Sequence, residues 1–183
     1  MQAAQTHPES AVPGTDPAWV RQAVVEFEGP LTLYAARLLG DVEAARDVVQ
    51  EAFMKLCRQP QSEVDGHLRE WLFTVCRHRA LDVRRKEKRM TSLTATQAER
   101  ARPPQTPPAE AYERQETAAH VLAALEHLPE SQQEVLRLKF QHGLSYKEIS
   151  RVTELSISHV GVLIHQGLKT LRQQFAERPP VAH

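Results

Sequence analysis

The stretch LREWLFTVCRHRALDVRRKEKR, from Leu68 to Arg89, decides how the rest of the chain is understood. Its apolar residues Leu68, Trp71, Leu72, Val75, Cys76 and Val83 recur at helical spacing and make one stripe. From Arg77 onward the character changes. Arg77, Arg79, Arg84, Arg85, Lys86, Lys88 and Arg89 stand against only Asp82 and Glu87. Wound at about 100° per residue, Arg77, Arg84 and Lys88 fall on one line opposite the stripe. One side of this helix packs and the other presents positive charge. Basic residues near a helix C-terminus also suit the macrodipole, so charge alone names no ligand. Arg79 lies within the apolar stripe and needs an acidic partner or an exposed helix end.

Upstream of that helix, Val20, Val24, Phe27, Leu31, Tyr34 and Leu38 predict helix, and Gly29-Pro30 predicts an interruption in it. Gly40-Asp41 ends one helix and caps the next. That next helix, DVEAARDVVQEAFMKLCRQ, turns Val42, Ala45, Val49, Ala52, Phe53 and Leu56 inward and leaves Asp47, Gln50, Glu51 and Arg58 on its other faces. Pro60 stops it, and Gln61 to Gly66 is expected to be a short polar loop.

Downstream, TSLTATQAERARPPQTPPAE holds Pro103, Pro104, Pro107 and Pro108 and almost no large apolar residue. Such a composition buries too little surface to offset chain entropy and is expected to be a flexible linker. About twenty residues at roughly 3.1 Å each reach about 60 Å. Beyond it, Ala118, Val121, Leu122, Leu125 and Leu128 predict a helix ended by Pro129. Ser131 with Glu134 predicts a capping box, closed by His142-Gly143. Ser145 with Glu148 predicts a second box opening the short helix YKEISRVT. After a turn at Glu154-Leu155, Ser156 caps a last helix with Ile157, Val160, Ile164, Leu168 and Leu171 inward. Short helix, tight turn and longer helix make a helix-turn-helix.

The expected architecture is therefore all-α: two small helical domains, at 17–90 and 112–176, joined by the proline-rich linker 91–111. Loose tails are expected at 1–16 and 177–183. The 183 residues are 41% apolar, with 23 basic and 23 acidic side chains for a formal net charge of zero. No run approaches the roughly 18 apolar residues of a membrane span, and no signal-peptide core opens the chain. Cys57 and Cys76 both fall on apolar helix faces and are expected as core thiols in a reducing compartment, hence a cytoplasmic chain. The nine histidines are scattered, and no nucleophile–base pair, paired carboxylates, metal ligand set or phosphate loop converges. No catalytic residue, metal or cofactor is expected.

Three segments taken together resemble one family. GDVEAARDVVQEAFMKL, then LREWLFTVCRHRALDVRRKEKR, then LPESQQEVLRLKFQHGLSYKEISRVTELSISHVGVLIHQGLKTLR stand in the order found in bacterial sigma factors. The two-domain format resembles the extracytoplasmic-function group, with conserved regions two and four only. The resemblance implies that Asp47, Gln50 and Glu51 dock on the clamp helices of core RNA polymerase. It implies that the loop Gln59 to Gly66 captures a base flipped from the non-template strand, and that Arg77, Arg84, Arg85 and Lys88 meet promoter phosphates where melting begins. Trp71 matches a family tryptophan but lies on the apolar stripe, and is assigned to packing.

In the last helix, Gly161, Val162, Leu163 and Leu168 stand where the family commonly carries polar or basic groups. The outward face is left with Ser158, His159, Val162, His165, Gln166, Lys169 and Arg172 for reading DNA. Two glycines there weaken the helix by roughly 1 kcal/mol each unless something approaches closely. Implied partners are core RNA polymerase (clamp and flap), promoter DNA and an anti-sigma factor, with the chain a monomer in the holoenzyme and no membrane insertion. The alternative is a stand-alone helix-turn-helix regulator of an operator. It leaves the acidic and basic helices without work.

Overall fold

The computed structural model describes residues 17–91 and 121–177, and the chain divides into two compact units between Pro103 and Pro104. Apart from Thr91 and Glu177, which are helical, the expected tails and linker lie outside the described residues, as do the start of the second domain and Ala118.

The first unit holds α1 (Pro17–Leu39), α2 (Val42–Leu56), α3 (Gln61–Val64) and α4 (Leu68–Thr91). The three long helices pack pairwise, each against the other two. Their shared core is Phe27, Leu31, Tyr34 and Ala35 from α1, Ala45, Val48, Val49, Ala52 and Leu56 from α2, and Leu72, Phe73, Cys76 and Ala80 from α4. The rings of Tyr34 and Phe73 meet edge-on with centroids 5.2 Å apart, a geometry that favours the ring quadrupoles. Val42, expected inward, is only half-buried at the first turn of α2.

α1 runs unbroken through Gly29-Pro30, against the interruption its sequence predicts. Both residues lie on the exposed face, where the hydrogen bond that the proline cannot donate costs least. Phe27 and Leu31, buried on either side of the proline, hold the helix to the core.

Gly40 ends α1 at φ 78°, its N–H donating to the Ala36 carbonyl at 2.8 Å. Asp41 then caps α2, accepting from the Glu43 N–H at 2.8 Å. The segment expected as a polar loop contains a helical turn, α3, because Val64 is buried and anchors it. Gly66 turns the chain into α4 at φ 78°. Cys57 departs from expectation too: it follows the last turn of α2 and is exposed, whereas Cys76 is buried. Burial pushes the Cys76 thiol up to about 12, because the low-dielectric core disfavours its thiolate.

The second unit holds α5, described over 121–126, α6 (Glu130–Phe140), α7 (Tyr146–Thr153) and α8 (Ile157–Glu177). Pro129, not Ser131, precedes the first turn of α6, which has no side-chain cap. The Pro129 carbonyl already accepts from Gln132 and Gln133 at 2.9 and 3.0 Å, leaving Ser131 inside the helix. The Gln133 side chain instead donates to the Leu128 carbonyl at 2.8 Å and stitches α6 to the preceding turn. Gly143 closes α6 at φ 70°. The Ser145–Glu148 capping box opens α7 as its sequence predicts, and Glu154 at φ 61° makes the turn into α8. Ser156 accepts from the His159 N–H at 3.2 Å. α8 packs on both α6 and α7.

The inward side of α8 is rotated from the expected one. Ile157 is 51% exposed and Leu168 half-buried, while Leu163 joins Val160, Ile164 and Leu171 inside.

Candidate nucleic-acid interface

On α2, Asp47, Gln50 and Glu51 are all exposed and lie at helical spacing on one face. Their surroundings differ. The Glu51 carboxylate accepts a hydrogen bond from Arg79 Nη2 of α4 at 2.7 Å, and Arg79 Nε adds a second close contact. This is the acidic partner that Arg79 requires. The hydrogen bond to Glu51 pushes the guanidinium pKa further up, against the desolvation of the guanidinium. Beside this pair, Lys55 of α2 sets its ammonium 6.0 Å from the Trp71 ring centroid on α4. Trp71 is half-buried between the helices, consistent with packing. Arg69 ties α4 to α1 in the same manner, 5.8 Å from the Phe27 centroid and 3.7 Å from Glu26.

The basic face of α4 is graded along its length. Arg77 and Arg84 are half-buried, and Arg85 pairs with Asp82 at 3.1 Å. Ala80 is the last buried residue, and every residue from 85 to 90 is exposed. The end of α4 extends past its packing partners and presents charge on all sides. Lys86 and Arg89 belong to this basic end as much as Lys88 does. A single-face reading of the sequence misses them, although the lack of apolar residues between Val83 and Met90 is the signal.

On α8, Ser158, His159, Val162, His165, Gln166, Lys169 and Arg172 are all exposed. Ser158, Val162, His165, Lys169 and Arg172 recur at alternating steps of four and three and make one outward line along the helix. The two glycines of α8 differ in kind. A Cβ at Gly167 would stand 2.7 Å from Leu136 Cδ1, so a side chain fits there only if that methyl shifts. At Gly161 a Cβ would meet only the Tyr146 ring at 3.7 Å, an ordinary contact. Tyr146 in turn receives the Lys139 ammonium 5.5 Å from its centroid.

Among the described residues no group of three His, Cys, Asp or Glu is disposed to hold a metal, and no helix is long and apolar enough to cross a membrane. Carboxylates on one helix, cations on a protruding end of another and a polar-cationic line on a third can serve binding to a protein and to a polyanion.

Residues 24–90 match the family model for Sigma-70 region 2, and residues 119–171 match that for Sigma-70, region 4. The chain is 29% identical over 144 residues to the ECF RNA polymerase sigma factor SigE of Mycolicibacterium smegmatis, covering 78% of this chain. It spans a little over half of that relative's length, 56%. It is 26% identical over 170 residues to SigL of Mycobacterium tuberculosis, covering 92% of this chain and 95% of that protein. SigX of Bacillus subtilis is 27% identical over 141 residues, with 74% and 73% covered. In fold it is similar to the sigma factor RpoE of Bartonella quintana, solved in complex with the anti-sigma factor NepR. The TM-score is 0.65 at 20% identity, over 87% of this chain and 98% of that one.

Proposed function

This chain belongs to the sigma-70 family, in its extracytoplasmic-function group, and from that premise we propose that it binds core RNA polymerase, directs it to a set of promoters and assists opening of the DNA. The observation that carries this reading is the pairing, in one chain, of region 2 with region 4. Region 2 here offers an exposed carboxylate face on α2 and a protruding basic end on α4. Region 4 offers a helix-turn-helix with its polar line outward.

Each surface suits a different task. Asp47 and Gln50, with Glu51 partly engaged by Arg79, form the polymerase-docking face. The segment around α3 and Gly66 receives the flipped base. Lys86, Lys88 and Arg89, with Arg77, Arg84 and Arg85 behind them, hold phosphates at the upstream edge of melting. Phosphate contacts position a protein without reading sequence, so promoter choice falls to α8. Neutralising about five phosphates gives a salt slope of about −4.5, and moving a base from the stack costs a few kcal/mol. The isolated chain therefore binds promoters weakly and relies on polymerase as scaffold. It works in the cytoplasm, without catalytic residues of its own, and an anti-sigma factor is the partner that holds it inactive.

The test is co-elution of the full chain with core RNA polymerase of its own organism, followed by run-off transcription on that organism's promoter fragments. Co-elution with promoter-specific transcripts supports the proposal. Tight binding of the chain alone to a symmetric duplex, without co-elution, means a stand-alone regulator.

A further inference from the structure

Arg79 Nη2 donates to Glu51 Oε1 at 2.7 Å and Arg79 Nε lies close against Oε2, so both oxygens of the carboxylate face one guanidinium from another helix. Among the described residues, Asp47 and Gln50 of the same face have no such contact. The partner that helical spacing offers Glu51 is Lys55, four residues on. Its ammonium instead stands 6.0 Å from the centroid of Trp71 on α4. Arg79 for its part interrupts an apolar stripe, where a hydrophobic side chain would pack. Stability does not explain an arginine there, since Glu51 and Arg79 remain 49% and 34% exposed and so solvated an ion pair contributes little.

We propose that Arg79 is a positioning residue for polymerase docking: it holds the Glu51 carboxylate in one orientation, so that a cation of polymerase meets an acceptor already ordered. The inference rests on the reading of α2 as the docking face and adds how that face is prepared. A free glutamate side chain samples several rotamers, and ordering it on binding costs affinity. The planar guanidinium fork removes that freedom beforehand. A carboxylate offers about four acceptor sites on its two oxygens, and those that Arg79 leaves open can take a second cation. At a half-exposed site water screens the repulsion between the two cations. Ordering therefore outweighs the sharing of charge, and Arg79 strengthens docking.

The test is a titration of the full chain with core RNA polymerase of its own organism, arranged as double-mutant cycles. Arg79→Met keeps the apolar stem and removes the fork. It is expected to weaken binding by about two- to tenfold, the range for one side chain that must be ordered on binding. In the Glu51→Ala chain the same change has no effect, whereas in the Asp47→Ala chain it keeps its full effect. An arginine that served only the packing of α2 on α4 would cost alike in both. Arg79→Lys, which keeps a cation in reach of Glu51, follows the same pattern with a smaller loss. Tighter binding by Arg79→Met overturns the proposal, as does an equal loss with and without Glu51. Should Asp47→Ala and Glu51→Ala weaken binding while Arg79→Met does not, the docking reading of α2 stands and only the positioning role falls. Should none of the three matter, both fall together.

Discussion

Glu51 on α2 and Arg79 on α4 are hydrogen-bonded across the helix interface, with Nη2 2.7 Å from Oε1. The pair sits at the edge of the carboxylate face proposed to dock on polymerase, so Glu51 has two roles where Asp47 has one. Both side chains are partly exposed, 49% for Glu51 and 34% for Arg79, which limits their worth to stability to about 0.2–1 kcal/mol.

Asp47→Lys is expected to weaken co-elution with core polymerase at least tenfold and leave the melting temperature unchanged. Glu51→Lys sets two cations together and lowers the melting temperature by a few degrees as well, at about 1 kcal/mol. The exchange Glu51→Arg with Arg79→Glu restores the melting temperature but not polymerase binding. If it restored both, the face would act only through helix packing.

The protruding end of α4 carries its charge outside the core. Lys86→Gln, Lys88→Gln and Arg89→Gln together should flatten the salt dependence of promoter binding, the slope falling by about 0.9 for each phosphate no longer neutralised. Thermal unfolding should not change. An unchanged salt slope in the holoenzyme would remove this segment from the DNA surface.

Gly167→Ala forces Leu136 aside at a 2.7 Å approach. Overpacking of that kind costs about 1–3 kcal/mol, more than the roughly 1 kcal/mol of helix propensity it adds. Differential scanning calorimetry should show the transition of the second unit move down. A transition that moves up would mean that the Leu136 methyl turns aside without cost.

Ser145→Ala removes the acceptor of the Glu148 N–H in the capping box of α7. The expected loss is about 1 kcal/mol in the second unit, read as a lower urea midpoint. Ser145→Asp, which restores a capping oxygen, should recover most of it.

The Cys76 thiol, held protonated by burial up to about 12, links stability to alkaline pH. The unfolded thiol ionises near its ordinary value of 9.0, so above that pH the unfolded state binds fewer protons and stability falls. The urea midpoint of the parent chain should drop between about pH 8 and about pH 11, and that of Cys76→Ala should drop less. A thiol reagent should meanwhile titrate Cys57 alone in the native chain.

The sequence by itself determined the long helices and several of their ends, because caps and turns are local chemistry. Gly40-Asp41, Ser145 with Glu148, Gly143 and Ser156 do their work within three or four residues of where they stand. Helical period likewise settled that the seven residues named on α8 face outward. Only the tertiary structure decided the matters that depend on residues distant in the chain. Pro30 stays inside α1 because buried neighbours on both sides hold the helix. Val64 makes a helical turn of an expected loop because the core receives it. Ile157 is exposed and Leu163 buried because α8 settles on α6 and α7 at an angle no single-helix period contains. Glu51 meets Arg79, and Gly167 meets Leu136, across contacts between separate helices, where side chains far apart in sequence compete for the same few ångströms.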